Sequence, residues 1–106
     1  MPFVDLNNMT EKKLFEGYTA KIIHAEKMTI AHVKVEANSP LPEHQHPHEQ
    51  VMNLIEGEFE FTVAGKKHVM KAGESFVIPP NVPHSAKSIT ECYIVDVFHP
   101  IREDWL

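Results

Sequence analysis

Apolar and polar residues alternate with a period of two along most of the chain, from Tyr18 onward. In residues 28–36, for example, Ala31, Val33 and Val35 fall on one face, and polar residues occupy the other. This alternation predicts β-strands with one buried face, and no long helix-period stretch competes with it. The predicted extended segments are residues 18–24, 28–36, 51–56, 58–63, 66–71, 75–78, 84–88 and 92–98.

Glycine, proline and asparagine separate these segments. Residues 37–42 are predicted to form a loop, in which Asn38 tolerates a left-handed conformation. Gly57 and Gly65 predict tight turns between strands. Residues 10–17 are compatible with a short helical turn or with an edge strand. Short strands at a spacing of about ten residues, joined by such turns, predict an all-β antiparallel sandwich or barrel.

The composition predicts one small domain, residues 1–106, without a nucleic-acid or membrane partner. A chain of 106 residues has a modest core, which a metal ion or a second subunit would support. The net charge of −5 provides no basic patch. Residues 1–5 lack a secretion signal, and one cysteine cannot form an internal disulfide, so a cytoplasmic location is expected. Cys92 is interpreted as a core residue rather than a nucleophile.

Histidines next to prolines form the main candidate for chemistry. His44 and His46 lie two apart, so on an extended chain both side chains point to the same side and can reach one ion. Pro47 turns the backbone, after which Gln50 can face the same cavity. Far downstream, a proline-rich turn precedes His84 at the start of another strand. The sequence therefore predicts that one divalent metal is bound by His44, His46, Gln50 and His84.

This predicted ligand set is electrically neutral. Three imidazoles and a carboxamide leave the charge of a divalent ion uncompensated, so the ion should attract an anionic substrate oxygen. Neutral ligands also stabilise a ferric ion poorly, which favours a Lewis-acid role over oxygen chemistry. The ligands suit Fe, Mn, Co, Ni, Cu and Zn alike, so the metal is not identified.

Some of these polar residues have a structural interpretation as well. Gln50 is alternatively a structural amide that hydrogen-bonds a neighbouring histidine. His48 is interpreted as a residue that supports a ligand or is exposed, rather than as a fifth ligand. The histidines without motif context, which are interpreted as surface or hydrogen-bonded strand residues, are His24, His32, His68 and His99.

The two histidine segments resemble the two motifs of the cupin family. The residues at the positions of the first motif are Asn38, His44, His46, Gln50 and Gly57, and those of the second are Gly73, Pro79, Asn81, His84 and Ser88. Asn38 and Asn81 replace glycines but still suit a turn, Gln50 replaces glutamate, and Ser88 replaces asparagine. The resemblance implies a single-domain cupin jelly roll, with a barrel core at about residues 18–98 and a tail at residues 99–106.

A closer resemblance is to the KdgF-like pectin-degradation cupins, carried by residues 46–50, 56–61 and 94–106 and by the turn before His84. It implies an enzyme that converts 4,5-unsaturated uronate monosaccharides, released by pectin or alginate lyases, into linear 5-keto-4-deoxyuronates. It also implies a divalent metal held by three histidines and a glutamine, and a homodimer. The catalytic residues of the family map onto Asp96, Phe98 and Arg102.

The residue pattern supports these three roles but leaves alternatives open. Asp96 lies midway along an apolar strand, where a carboxylate needs a partner or a function; the alternative is a salt bridge to a lysine or Arg102. Arg102 could clamp a substrate carboxylate, or could pair at the surface with Glu103 or Asp104. Phe98 could form a sugar-facing wall or belong to the core.

Two other functional classes remain open at this point. One is a different cupin enzyme, such as a metal-dependent dioxygenase or a sugar isomerase. The other is a non-catalytic sugar-binding or sensing cupin, because a fold alone does not determine function.

Overall fold

Ten β-strands, joined mostly by short turns, make up the computed structural model, which describes residues 3–106. Short 3₁₀ turns at Leu6–Asn8 and Glu103–Trp105 lie before and after the strands. In chain order the strands are β1 (Lys12–Phe15), β2 (Tyr18–His24), β3 (Thr29–Val35), β4 (Pro40–His44), β5 (Glu49–Glu56), β6 (Glu58–Val63), β7 (Lys66–Lys71), β8 (Ser75–Ile78), β9 (His84–Ser88) and β10 (Cys92–His99).

The strands form two antiparallel sheets that pack face to face. The six-stranded sheet has the order β1-β2-β3-β10-β5-β8, and the four-stranded sheet has the order β4-β9-β6-β7. The prediction of an all-β antiparallel sandwich or barrel is confirmed. Among the described residues, no helix is long and apolar enough to cross a bilayer.

The prediction of a loop over residues 37–42 was wrong for its second half. Residues 40–42 belong to β4, which pairs with β9. Proline lacks an N–H group, but β4 is an edge strand of its sheet, where Pro40 and Pro42 need not donate on the open side. Residues 10–17, left open by the sequence, include the edge strand β1.

The apolar faces of both sheets meet in one core. Burial alternates along the strands, as in β3, where Ala31, Val33 and Val35 are buried and the residues between them are not. Phe59 and Phe61 of the four-stranded sheet pack against this layer. The buried polar residues of the described chain are Thr29, Ser39, His46, Gln50, His84, Ser88 and Arg102. Four of these seven were predicted site residues, so more than half of the buried polar side chains belong to the candidate site.

Two asparagines occupy the turns where the cupin motifs have glycine. Asn38 and Asn81 have φ values of 57° and 63°, in the left-handed region that asparagine tolerates better than most residues. The predicted turn at Ala64 and Gly65 also has positive φ at both residues, as a tight hairpin turn requires.

Candidate metal and substrate site

The four-stranded sheet brings two distant histidines side by side. His44 ends β4 and His84 begins β9; they are cross-strand partners, and their ring centroids are 4.2 Å apart. His46 follows in the connection to β5, with its ring centroid 5.0 Å from that of His84. The Asn81 backbone N–H donates to the His46 carbonyl oxygen over 2.8 Å, which ties the two histidine segments together. One nitrogen of each of the three rings lies within 4.8 Å of the others.

Backbone carbonyl groups fix the orientation of these three rings. In each ring, Nδ1 lies 2.8–3.0 Å from a carbonyl oxygen two residues away in the sequence. Because a carbonyl oxygen only accepts, Nδ1 carries the proton in each neutral ring and Nε2 keeps its lone pair. Metal-binding histidines commonly use this arrangement. Nε2 of His84 is buried without a hydrogen-bond partner among residues 3–106, so its lone pair is unsatisfied unless a cation or ligand is bound.

The surroundings keep the buried imidazoles neutral. The pKa of His84 is lowered to about 4, chiefly by burial and less by His44, His46 and Arg102, although the hydrogen bond to the Val82 carbonyl oxygen opposes the shift. Burial, together with the charge of Arg102, also lowers the pKa of His46. At neutral pH both rings are therefore in the form that can donate a lone pair to a metal.

Gln50 lies at the start of β5 on the opposite sheet and faces the histidines. Its Oε1 is 3.1 Å from Nε2 of His46, and its Nε2 donates to Oδ1 of Asp96 over 2.8 Å. With Nδ1 of His46 protonated, two lone-pair atoms face each other in the first contact, and a cation between them would relieve the repulsion. If the amide were reversed, its oxygen would face the Asp96 carboxyl oxygen and the hydrogen bond to Asp96 would be lost, so the present orientation is the favoured one. A hydrogen bond in this contact, which is the structural alternative for Gln50, would need the proton on Nε2 of His46, whereas the His48 carbonyl oxygen places it on Nδ1.

Asp96 points from β10 into the space between the sheets. Burial raises the pKa of Asp96 to about 7, although the hydrogen bond from Gln50 and the charge of Arg102 lower it. No salt bridge to Asp96 is present within residues 3–106, so the alternative of a salt bridge to a lysine or Arg102 was wrong. A carboxyl group with a pKa near neutrality can both donate and accept a proton at that pH.

Arg102 and Phe98 complete the wall of the site near the C-terminus. Arg102 is only 8% exposed, and its guanidinium group forms an ion pair with Asp104 at 2.8 Å. The predicted alternative of a pair with Asp104 is therefore present, and it joins a buried guanidinium group to a carboxylate whose side chain is 55% exposed. Phe98 is buried and contacts the His46 ring edge to face, with centroids 5.6 Å apart. It belongs to the core and to the site wall at once.

Six of the seven predicted site residues, all except His46, line one cavity of about 400 Å³, a volume in the range of small-molecule sites. His44, which is exposed, lies at the mouth, and Gln50, His84 and Asp96 lie inside. A larger groove of about 700 Å³ lies on the outer face of the six-stranded sheet, lined by residues such as Lys34. The groove contains none of the clustered imidazoles, so the inner cavity is the candidate site.

The other histidines and the cysteine behave as structural residues. His48 Nε2 lies 3.2 Å from the Ile101 carbonyl oxygen, and its own carbonyl accepts from His46, so it supports a candidate ligand. His24 and His32 contact Thr29 and Tyr93 through Nδ1, and His68 and His99 are exposed. Cys92 is buried, and burial raises the pKa of its thiol.

The donor set fits a divalent transition metal. Three neutral imidazoles with oriented Nε2 atoms and one amide oxygen converge from both sheets, and one of these lone pairs is otherwise unsatisfied. Imidazole and amide ligands suit several metals, so the arrangement does not identify the ion. An anionic ligand in the cavity would meet the guanidinium group of Arg102 on one side and Asp96 on another.

Two packed antiparallel sheets that gather histidines and a glutamine from two separate turns define a cupin-type barrel. The chain belongs to the cupin domain family (Cupin_2), whose model matches residues 31–98.

Among named relatives, the pectin degradation protein KdgF of Dickeya dadantii is 32% identical over 65 residues, which cover 59% of this chain and 59% of that protein. The alignment thus spans little more than half of this relative. The solved structure of KdgF from Halomonas sp. is 27% identical with a TM-score of 0.92, and covers 100% of this chain and 99% of that chain. An RmlC-like cupin from Shewanella frigidimarina is 28% identical with a TM-score of 0.93, covering 100% and 96%.

Sequence reasoning did not assign Trp105 to the cavity wall. Trp105 lines the cavity and lies 3.9 Å from the Arg102 guanidinium group, measured to the ring centroid. Its position depends on how the tail folds back after Pro100, which no periodic pattern indicates. The available signal was compositional: Trp105 is the single tryptophan of the chain and lies three residues after a candidate site residue.

Proposed function

We propose that the protein catalyses the metal-dependent conversion of 4,5-unsaturated uronate monosaccharides to linear 5-keto-4-deoxyuronates. The observation that carries this proposal is the meeting of three groups in one cavity. These are a partly buried carboxyl group whose pKa is raised to about 7, a cluster of neutral metal donors, and a guanidinium group. A substrate with an acid group beside a double bond needs all three.

The metal donors and Arg102 would bind and orient the substrate. His44, His46, Gln50 and His84 are the proposed ligands of one divalent metal, which when bound supplies Lewis-acid polarisation of the carboxylate and its conjugated double bond. Arg102 would hold the substrate carboxylate in a fixed plane. Phe98 would provide an apolar wall against which one face of the sugar ring packs.

Asp96 would move the proton. In a 4,5-unsaturated uronate, the ring oxygen and the double bond form an enol ether, so a proton adds to C4 and the oxygen of water adds to C5. Protonated Asp96 would donate to C4, and the water would lose a proton that restores the acid. As the bond between C5 and the ring oxygen breaks, the C5 hydroxyl proton passes to the ring oxygen, which leaves a ketone at C5. The two hydroxyl groups then present on C1 lose water to give the linear aldehyde. Gln50 would keep one Asp96 oxygen occupied and the other directed at the substrate.

Similarity to two KdgF proteins supports this choice over other cupin chemistries. The neutral donor set supports a Lewis-acid role over a dioxygenase role, because it stabilises a ferric ion poorly.

The test follows the absorbance of the conjugated double bond in an unsaturated uronate monosaccharide. Metal-loaded protein should remove it faster than buffer and faster than chelator-stripped protein. Asp96→Asn should lower kcat by roughly 10²–10⁴-fold while the metal stays bound, since general acid catalysis contributes about that much. Glu58→Gln, which changes an exposed strand carboxylate, is the matched control and should behave like the wild type.

Other outcomes would reject parts of the proposal. An unchanged rate in Asp96→Asn would exclude the proton-transfer role of Asp96. Oxygen uptake with an aromatic or diketone substrate would indicate a dioxygenase, and saturable uronate binding without turnover would indicate a binding module.

A homodimer is the proposed assembly. Five outward-facing residues form a continuous cross-strand row on the six-stranded sheet, namely Ile23, Ile30, Val97, Val51 and Val77. Such an apolar row is self-complementary across a two-fold axis. Light scattering should give about twice the chain mass of 12.1 kDa, and Val77→Lys should shift it to the monomer. Val69→Lys, at a similarly exposed position on the other sheet, is the control. A monomeric wild type would exclude this assembly.

A further inference from the structure

Asp104 holds one edge of the Arg102 guanidinium group. Nε of Arg102 donates to Oδ1 of Asp104 over 3.0 Å, and Nη2 donates to Oδ2 over 2.8 Å. These two parallel hydrogen bonds form a side-on pair, a two-point geometry that fixes the plane of the guanidinium group. The hydrogen bonds from Arg102 also lower the pKa of Asp104, so Asp104 remains ionised at neutral pH.

Two aromatic rings hold the guanidinium group from the sides. The guanidinium carbon lies 3.9 Å from the Trp105 ring centroid and 4.7 Å from the Phe98 ring centroid. The two rings contact each other edge to face, with centroids 5.1 Å apart. Stacking against aromatic faces is more favourable when the cation is shielded from water, and Arg102 is almost fully buried. The backbone N–H of Arg102 donates to the buried Thr29 hydroxyl over 2.9 Å, which anchors the tail.

The guanidinium group keeps a second edge available. A guanidinium group has five N–H donors, and Asp104 uses two of them. The other three belong to Nη1 and Nη2, which together form the end-on edge. Nη1 makes no hydrogen bond to any of residues 3–106. An end-on edge can still bind a carboxylate through two parallel hydrogen bonds, so the pair with Asp104 does not disable Arg102.

We propose that Asp104 and Trp105 are positioning residues that hold the guanidinium group of Arg102 so that its free edge binds the carboxylate of the sugar acid. This inference rests on the proposed function for the identity of the ligand. Asp104 sets the rotation of the guanidinium plane, and Trp105 sets its depth in the cavity. A flexible Arg102 would retain its charge but lose the fixed two-point geometry that distinguishes a carboxylate from a neutral ester.

Calorimetric binding of a saturated uronate to metal-loaded protein tests this without turnover. The probes are galacturonate and its methyl ester, which differ only at the carboxylate. The wild type should prefer the acid. Asp104→Asn should weaken acid binding by about tenfold and leave ester binding nearly unchanged, because the two charged hydrogen bonds to the substrate carboxylate depend on a fixed guanidinium plane, and this loss should outweigh the gain in net positive charge. Glu103→Gln, an exposed acid in the same 3₁₀ turn, is the matched control and should retain the preference.

Trp105 variants provide a second, independent measurement. Trp105→Ala should reduce the preference for the acid, and Trp105→Phe should restore most of it, since phenylalanine keeps an aromatic face. With the unsaturated substrate, the same variants should raise KM more than they lower kcat. A purely structural role would weaken acid and ester binding equally, and circular dichroism reports whether each variant is folded.

The outcomes separate this inference from the proposed function. Selective loss of acid binding in a protein that never turns over the unsaturated sugar would support the positioning role and reject the enzymatic one. An unchanged preference in folded Asp104→Asn and Trp105→Ala would overturn the positioning role, whether or not the wild type is active. A wild type without any preference for the acid would overturn it as well.

Discussion

Replacing Asp96 by asparagine should stabilise the metal-free protein in mildly alkaline solution. Burial raises the pKa of Asp96 from 3.8 to about 7 in the folded protein. Between these two values the folded state binds a proton that the unfolded state has released, so stability falls as the pH rises through this window. Asparagine does not ionise, and its Oδ1 can still accept from Gln50.

The size of the effect follows from the shift. Each pKa unit corresponds to about 1.4 kcal/mol, so a shift of about three units gives an upper bound of about 4 kcal/mol. The carboxyl group faces a cavity that opens to solvent beside the exposed His44, and solvent screening reduces the penalty. We therefore expect a gain in the free energy of unfolding of about 1–4 kcal/mol for Asp96→Asn at about pH 8.

Urea denaturation of the metal-free proteins measures this difference. Near pH 8 the midpoint of Asp96→Asn should exceed that of the wild type, and near pH 4.5 most of the gap should disappear, because Asp96 is protonated there. Titration of the histidines cancels in the comparison of variant with wild type. A gap of equal size at both pH values, or a variant less stable near pH 8, would refute the argument that Asp96 is a buried acid with a raised pKa.

Three further predictions concern the candidate ligands and one turn. His84→Ala should lower the affinity for a divalent metal by more than about tenfold, measured by calorimetry, and an unchanged affinity would remove His84 from the ligand set. Gln50→Glu should bind the metal more tightly but lower kcat, because a second carboxylate beside Asp96 raises its pKa further; equal or higher kcat in that variant would contradict the proposed role of the amide. Gly57→Ala should reduce the midpoint of thermal unfolding far more than Gly73→Ala, since both have positive φ but a β-carbon at Gly57 would overlap a backbone carbonyl oxygen, whereas nothing lies within 4 Å at Gly73. Equal losses in the two glycine variants would show that backbone strain alone decides the cost.

Most strands could be predicted from the sequence because one face is buried, whereas β1 and β4 contain no buried residue. The period-two pattern of β3 and β10 reappears as alternating burial in the structure. The turns at Asn38 and Asn81 could also be predicted, because both residues replace motif glycines and asparagine tolerates the left-handed conformation found at each. β4 was partly missed because prolines normally indicate a loop, and only its edge position in the sheet makes Pro40 and Pro42 acceptable.

The candidate site, like the strands, could be predicted only in part. The grouping of His44, His46 and His84 could be predicted from their spacing and turns. In the structure His44 and His84 are cross-strand partners, and His46 lies in the connection just after β4. The carboxylate partner of Arg102 could only be given as an alternative, because it depends on a 3₁₀ turn in the tail. The contact of Trp105 with Arg102 could not be predicted, since it depends on side-chain packing after the last strand.

Anomalous X-ray scattering from a metal-soaked crystal tests the central claim most directly, that two distant turns bring four uncharged side chains onto one cation beside Asp96. The prediction is one peak inside the barrel, about 2.0–2.2 Å from Nε2 of each histidine and from Oε1 of Gln50. A peak bound only at the cavity mouth, or a peak from which Nε2 of His84 points away, would contradict it.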